Sequence, residues 1–125
     1  MILCDTDIII ELYRNNDRII SELKNIGEKN IAISIITAGE LYFGALHKAE
    51  LKQIEKDIKC PDVRFIDNEI NAAFYNLMFE YSFSHKLSIL DALIPSTAIV
   101  HNMELFTLNV KHFKYVKGLK LYRFT

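Results

Sequence analysis

Short apolar segments alternate with amphipathic segments along this chain, and that alternation limits the possible folds more than any other feature. The apolar segments have the length and composition of β-strands and lie at 1–5, 30–34, 63–66 and 104–107, with a candidate edge strand at 119–124. The segments between them have the apolar spacing of helices and lie at 7–13, 17–26, 37–47, 49–59, 69–83 and 88–101, followed by a helical turn at 110–115. The alternation predicts an α/β domain with a mainly parallel central sheet of about four to five strands and helices on both faces.

The size and composition of the chain are those of one globular domain. With 125 residues, of which 50% are hydrophobic, the chain can bury a core without disulfide bonds or metal ions. Its two cysteines, Cys4 and Cys60, lack the spacing of a metal-binding motif, and Cys4 lies in an apolar run typical of a core. No segment has the pattern of a signal peptide or a membrane span. We therefore expect a single domain over residues 1–125 in the cytoplasm.

Carboxylates stand where predicted strands give way to helices. Asp5 and Asp7 stand where the first strand ends and a helix begins, and Glu40 comes just after the second strand. Asp91 begins the helix at 88–101, and Asn109 follows the fourth strand. In a parallel α/β sheet the strand-to-helix turns share one edge, where ligands bind. These side chains are therefore expected in one small region, which Asp91 joins if its helix packs beside the first strand.

Helix capping is the simpler explanation for each acid taken alone. Acidic residues suit the positive end of a helix, and Asp is a common N-cap. TAGE at 37–40 and SILD at 88–91 both match the capping-box pattern, in which the acid reaches back to the cap. Capping and a shared site therefore both remain open for these residues at this point.

The combination of several acids favours a metal site. Carboxylates within a few ångströms repel one another, and either protons or a cation must relieve the repulsion. No histidine or cysteine motif accompanies these acids, so hard ions such as Mg²⁺ or Mn²⁺ suit them best. Such ions activate water and stabilise phosphoryl displacement. The pattern predicts a metal-dependent site for phosphoryl chemistry.

The same segments resemble the motifs of the PIN-domain family. MILCDTDIII (1–10) resembles the opening motif, in which a strand ends in Asp-Thr-Asn or a close variant. ISIITAGELYFGA (33–45) is similar to the second motif, built around a Glu, and LDALIPSTAIVHNMELFTLNVKHF (90–113) is similar to the third and fourth. The four motifs occur in order over nearly the whole chain. Its short length is similar to that of the VapC toxins of bacterial and archaeal toxin–antitoxin pairs.

The resemblance implies a fold, an activity and partners. The implied fold is a three-layer α/β/α PIN-like domain, and the implied activity is that of an Mg²⁺- or Mn²⁺-dependent endoribonuclease. VapC-like proteins cleave structured RNA such as transfer or ribosomal RNA. The resemblance further implies a homodimer and a VapB-type antitoxin that inserts a C-terminal segment into the active-site groove.

The resemblance also assigns catalytic positions. Asp5, Glu40 and Asp91 match the family's three core acids, which are the expected catalytic residues and metal ligands. Asn109 matches the fourth catalytic position, which is Asp in many relatives and Asn in others. We expect Asn109 to orient a water molecule or a carboxylate.

Residues beside these four have expected supporting or binding roles. Thr6 and Thr107 match small hydroxyl residues that support the site. Asp7 stands where Asn is usual, which adds negative charge and an outer-shell ligand. Lys111 and His112 are expected to contact RNA, although a solvated lysine explains Lys111 equally well. His112 departs from the family, which commonly has Asp at this position.

Pro95 is a further departure, because the family usually has a small residue such as Ala there. A proline inside the helix at 88–101 removes the backbone hydrogen bond to the Asp91 carbonyl. The loss costs about 3 kcal/mol unless the helix kinks or restarts. A kink would change the direction of Asp91.

Aromatic residues at helical spacing are expected to lie in the core. The residues concerned are Tyr42, Phe43, Phe74, Tyr75 and Phe79. A large exposed remnant of this cluster would instead mark a dimer or antitoxin surface.

Three other functions compete with a toxin ribonuclease. A haloacid-dehalogenase-type phosphatase would use Asp5 as nucleophile and Asp7 as acid/base. That family requires Thr or Val where this chain has Ile9, and it also requires a later Lys and an acidic pair, of which only Asp91 is present. A catalytically weak PIN-like module that binds RNA or a partner would be consistent with Pro95 and Asn109. A PIN nuclease outside a toxin–antitoxin pair is the third.

Overall fold

A five-stranded sheet lies at the centre of the computed structural model, which describes residues 1–124. The strands are β1 (Ile2–Cys4), β2 (Ile31–Ser34), β3 (Asp62–Arg64), β4 (Glu104–Phe106) and β5 (Lys120–Leu121). Their order is β3-β2-β1-β4-β5, and every neighbouring pair is parallel. The prediction of a parallel sheet of four to five strands is confirmed. All strands therefore end at the same edge, with β1 in the middle.

Within residues 1–124, seven α-helices connect or follow the strands. They are α1 (Thr6–Tyr13), α2 (Asp17–Ile26), α3 (Ile35–Phe43), α4 (Lys48–Ile58), α5 (Asn68–His85), α6 (Ile89–Val100) and α7 (Val110–Phe113). A 3₁₀ turn at Glu28–Asn30 leads into β2. Among residues 1–124, no helix combines the length and apolarity needed to cross a membrane.

The two faces of the sheet carry separate buried clusters, because successive strand side chains point to opposite sides. Leu3 and its partner Leu105 pack with residues of α6 on one face. Cys4 and its partner Phe106 pack with residues of α1 and α2 on the other. The predicted three-layer α/β/α arrangement is therefore confirmed, and Cys4 is a fully buried core residue as expected.

The start of α3 differs from the prediction. Ser34 accepts a hydrogen bond from the Ile36 backbone N–H at 3.0 Å and caps the helix, so that α3 begins two residues before Thr37. Thr37 and Glu40 therefore lie inside the helix, and the capping-box explanation of TAGE is wrong. The helix ends at Phe43 rather than in the predicted region of residue 47.

Helix α6 is continuous through Pro95, which is buried within it. Ser88 caps the helix by accepting a hydrogen bond from the Asp91 N–H at 3.3 Å. The helix does not restart at the proline, and Asp91 lies in its first turn.

The predicted edge strand at 119–124 pairs over only two residues. Just beyond them the Tyr122 N–H still donates to the Leu105 carbonyl at 2.8 Å, and the aromatic side chains that follow pack against the core. Tyr122 and Phe124 both contact the Phe106 ring, with centroids 4.8 and 5.2 Å away. These contacts cover one end of the α1–α2 face of the core.

The expectation that the five aromatic residues lie in the core is wrong for four of them. Tyr42, Phe43, Tyr75 and Phe79 are exposed, whereas Phe74 is partly buried. Helix α5 packs through the side that carries Phe74, Leu77 and Tyr81. Its other side presents an exposed stripe, here called the α5 aromatic face, which consists of Tyr75, Phe79 and Phe83.

Candidate active site

Asp5 lies at the carboxyl edge of the sheet, where β1 passes into α1. Its Oδ1 accepts a hydrogen bond from the Thr6 N–H at 2.8 Å, which caps α1. Its Oδ2 accepts a hydrogen bond from Thr107 Oγ1 at 2.8 Å, just after β4. The Asp5 N–H donates to the Phe106 carbonyl at 2.9 Å. Capping is thus a correct explanation for one oxygen, while the other is held by the neighbouring strand.

Thr6 connects Asp5 to Glu40, because its backbone N–H donates to Asp5 Oδ1 and its hydroxyl donates to Glu40 Oε1. Thr6 Oγ1 donates to Glu40 Oε1 at 2.7 Å and lies 2.9 Å from Thr37 Oγ1. Because Thr6 gives its only hydroxyl proton to the carboxylate, Thr37 must donate to Thr6. Thr37 is fully buried and was not predicted as a site residue. Its position one helical turn before Glu40, on the same face of α3, is the signal that sequence analysis could have used.

Asp7 faces the turn that follows β4. Its Oδ2 accepts a hydrogen bond from the Leu108 N–H at 3.1 Å and lies 3.3 Å from Thr107 Oγ1, whose single proton goes to the nearer Asp5 Oδ2. Its Oδ1 is buried and has no hydrogen-bond partner among residues 1–124. Asp7 therefore connects α1 to the β4–α7 turn and leaves one buried oxygen unsatisfied.

Burial and mutual repulsion disturb the protonation of these acids. Burial, followed by the charge of Asp7, raises the pKa of Asp5 from 3.8 to about 6, and Glu40 adds to the rise. The hydrogen bonds from Thr107 and Thr6 oppose it. Burial also raises the pKa of Asp7, against the hydrogen bond from the Leu108 N–H. The region holds more negative charge than its surroundings neutralise, which is the condition a bound cation relieves.

Asp91 reaches the same edge through a different contact. Its Oδ2 lies 2.9 Å from His112 Nε2, in the segment that follows β4. Within residues 1–124, Asp91 shares no hydrogen bond with Asp5, Asp7 or Glu40. The capping-box explanation of SILD is therefore half correct: Ser88 is the cap, but the acid faces His112 instead of reaching back.

The remaining predicted residues lie on the β4–α7 turn and on α7 itself. The Asn109 N–H donates to Thr107 Oγ1 at 3.1 Å, while its side chain makes no capping bond to α7. Asn109 and Lys111 are both exposed, and His112 is partly buried. Their exposure leaves the Asn109 amide and the Lys111 ammonium group accessible to a ligand above the sheet edge.

The side chains at this edge fit a hard divalent cation that keeps part of its water shell. Among the described residues, no three Asp, Glu, His or Cys side chains already converge as a complete ligand set. Mg²⁺ requires only one or two carboxylates, because it retains several waters. Asp5 and Glu40, joined through Thr6, supply two acids, and the unsatisfied Asp7 oxygen adds to the negative field.

Comparison with known proteins identifies the family. The PIN domain family model matches residues 2–119. Ribonuclease VapC1 of Methanocaldococcus jannaschii is 36% identical, over 97% of this chain and 86% of that protein. Ribonuclease VapC10 of Mycobacterium tuberculosis is 31% identical, over 96% of this chain and 91% of that protein.

A solved structure agrees with the sequence relatives. The crystal structure of VapBC2 from Rickettsia felis, bound to a DNA fragment from its promoter, contains a chain that matches this fold with a TM-score of 0.84. The two chains are 26% identical, and the match covers 100% of both. The chain therefore belongs to the PIN-domain family, and within it to the VapC group.

Proposed function

We propose that this chain is a VapC-like toxin, a divalent-metal-dependent endoribonuclease that a VapB-type antitoxin neutralises. The observation that carries the proposal is the pair of acids at the carboxyl edge of the sheet, Asp5 and Glu40, which Thr6 joins through its backbone N–H and its hydroxyl. The relatives named ribonucleases support the activity, and the VapBC complex supports the antitoxin partner. Membership of the PIN family gives no support to the haloacid-dehalogenase alternative.

Asp5, Glu40 and Asp91 are the residues that would hold Mg²⁺ or Mn²⁺. Such an ion, when bound, acidifies water for attack on a phosphodiester and stabilises negative charge on the phosphate. Thr107 and Thr6 orient the two central carboxylates by donating to Asp5 and Glu40. These bonds prepare the acids in one geometry before any ligand arrives.

The β4–α7 turn supplies polar groups for the RNA. The exposed Asn109 amide can donate to a water molecule or a phosphate oxygen, and Lys111 beside it can pair with a phosphate. From residue 111 onward the sequence contains five basic residues and no acidic one. This charge suits a polyanion and offsets the acids at the sheet edge. A structured RNA, such as a transfer or ribosomal RNA, is the proposed substrate.

Two adjoining apolar grooves support the antitoxin partner. The first, of about 640 Å³, lies between α1, α2 and α4 and includes Ile9, Leu12 and Ile58. The second, of about 820 Å³, includes Glu40 and Leu46. Leu41 and Tyr13 line both grooves, so an apolar segment of an antitoxin can follow them from α2 to the active-site acid.

The α5 aromatic face supports a homodimer. Tyr75, Phe79 and Phe83 recur every four residues and are 73%, 80% and 87% exposed, and Phe43 is 94% exposed. Aromatic side chains bury about 150–250 Å² each, so the three of the α5 aromatic face supply roughly 450–750 Å². A standard interface buries about 800 Å² on each partner. The proposed location is the cytoplasm, because a toxin and its RNA must share a compartment.

Cleavage of total cellular RNA by the purified protein tests the proposed function. Reactions contain Mg²⁺ or Mn²⁺, with and without EDTA, and include an Asp5→Asn variant. Asp17→Asn is the matched control, because it removes an exposed carboxylate at the start of α2. We expect discrete fragments from the wild type and the control, and none with EDTA or Asp5→Asn. Folded wild-type protein that neither cleaves RNA nor binds Mn²⁺ would instead indicate a binding module without catalysis.

A further inference from the structure

His112 makes a contact that the expected RNA-binding role does not explain. Its Nε2 lies 2.9 Å from Asp91 Oδ2. Within residues 1–124, His112 is the only residue that hydrogen-bonds to this carboxylate. The nearby Tyr115 hydroxyl is buried but has no partner in the same range. The carboxylate is thus held at one oxygen by one side chain.

The direction of the hydrogen bond follows from the chemistry of the two groups. An ionised carboxylate can only accept, so the proton must reside on His112 Nε2. The imidazole therefore occupies Oδ2 and leaves Oδ1 of Asp91 free for another ligand. A neutral histidine can donate this hydrogen bond, provided that its one ring proton is on Nε2.

The imidazole is held in place by its own surroundings. Its ring meets the Phe113 ring edge-on, with centroids 4.9 Å apart, and Phe113 is buried in the core beside α6. The His112 N–H donates to the Asn109 carbonyl at 3.0 Å. The contact thereby joins the first turn of α6 to the turn that carries Asn109 and Thr107.

We infer that His112 is a positioning residue, which holds one oxygen of Asp91 and directs the other toward the divalent metal. The inference rests on the proposed metal-dependent function. Residues around a metal ligand fix its orientation, and their loss commonly reduces metal affinity 10–100-fold.

A purely structural ion pair is the competing explanation. The His112 side chain is 27% exposed and the Asp91 side chain is 47% exposed. Pairs this accessible contribute little to stability. Loss of the pair alone should therefore leave the melting temperature of the metal-free protein nearly unchanged, and metal affinity separates the two explanations.

The test measures Mn²⁺ binding to the purified full chain by isothermal titration calorimetry. The variants are His112→Ala, His112→Gln and His101→Ala. Glutamine keeps an N–H donor near the position of Nε2. His101 is the matched control, since it caps the opposite end of α6 and contacts the charged Arg64.

We expect His112→Ala to weaken Mn²⁺ binding by roughly 10–100-fold, with His112→Gln restoring most of the affinity and His101→Ala unchanged. Raising the Mn²⁺ concentration should restore RNA cleavage by His112→Ala. If His112→Ala binds Mn²⁺ as tightly as the wild type, this inference is overturned but the proposed function is not. If it binds Mn²⁺ more tightly, His112 competes with the metal and the inference is again overturned. A wild-type protein that binds no Mn²⁺ would overturn both this inference and the proposed function.

Discussion

Replacement of Asp5 by Asn is expected to stabilise the metal-free protein while it abolishes RNA cleavage. Burial and the Asp7 charge raise the pKa of Asp5 from 3.8 to about 6 in the folded state. Below pH 3.8 the group is protonated in both states and has no effect. As the pH rises from 3.8 through 6, the unfolded chain releases this proton first, so ionisation increasingly favours unfolding. Above pH 6, ionisation of Asp5 destabilises the folded state by its full amount.

The size of the effect follows from the pKa difference. A rise from 3.8 to about 6 corresponds to about 3 kcal/mol of lost stability at neutral pH. Asn is as good an N-cap as Asp, so the contact from the Thr6 N–H can persist. The amide replaces one of the two accepting oxygens, and the lost hydrogen bond costs about 1 kcal/mol. The net gain is about 2 kcal/mol, or roughly 6–10 °C in Tm for a chain of this length.

Thermal and urea unfolding in EDTA at pH 7.5 and pH 4.5 measure the effect. Asp67→Asn is the control, because Asp67 caps α5 through the Ile70 N–H at 2.8 Å and undergoes the same chemical change. We expect Asp5→Asn to be more stable than the wild type at pH 7.5 and the gap to shrink at pH 4.5. Saturating Mn²⁺ should also reduce the difference in stability, since the ion stabilises the wild type, which binds it, more than the Asp5→Asn variant. Equal stability at pH 7.5, or a gap that does not depend on pH, would refute the reasoning.

Three further predictions concern other parts of the molecule. Thr107→Val should lower the free energy of unfolding by about 1–3 kcal/mol, because the buried hydroxyl donates to Asp5 and accepts from the Asn109 N–H. Urea unfolding beside Ser84→Ala, which removes an exposed hydroxyl, measures the difference. Phe79→Lys should convert a dimer to a monomer in light scattering, whereas Leu51→Lys on α4 should not, and a dimer that survives Phe79→Lys would place the interface elsewhere. A thiol reagent should label the exposed Cys60 but spare Cys4 until the protein unfolds, because burial raises the pKa of Cys4 to about 12; labelling of both thiols in the native state would contradict that burial.

Local patterns were enough to predict the layers of the fold and the residues at its edge. The strand from Ile2 to Cys4 ends directly before Asp5, and this apolar-to-acidic step can be read without any knowledge of distant residues. A parallel sheet then requires the ends of its strands to meet, which is why Thr6 contacts Glu40, and Thr107 contacts Asp5.

Boundaries and faces were harder to predict because they depend on competition between neighbouring groups. Ser34 outcompetes Thr37 as the cap of α3, although both are good capping residues. Helix α5 is apolar on two sides, and its sequence does not say which side another helix will cover. In the structure, α5 packs against α6 through the side that carries Leu77 and Tyr81, and Phe79 on the other side is exposed.

The α/β class, the parallel sheet and the acids at its edge follow from the amino-acid sequence alone, because hydrophobic period and strand-to-helix order are local properties of the chain. The groups that hydrogen-bond to those acids, in contrast, depend on how the layers pack. Thr37 and His112 lie 31 and 21 residues from the side chains they contact, Thr6 and Asp91. A hydrogen bond depends on ångström-scale distances between groups far apart in the chain, and those distances exist only once the layers have packed.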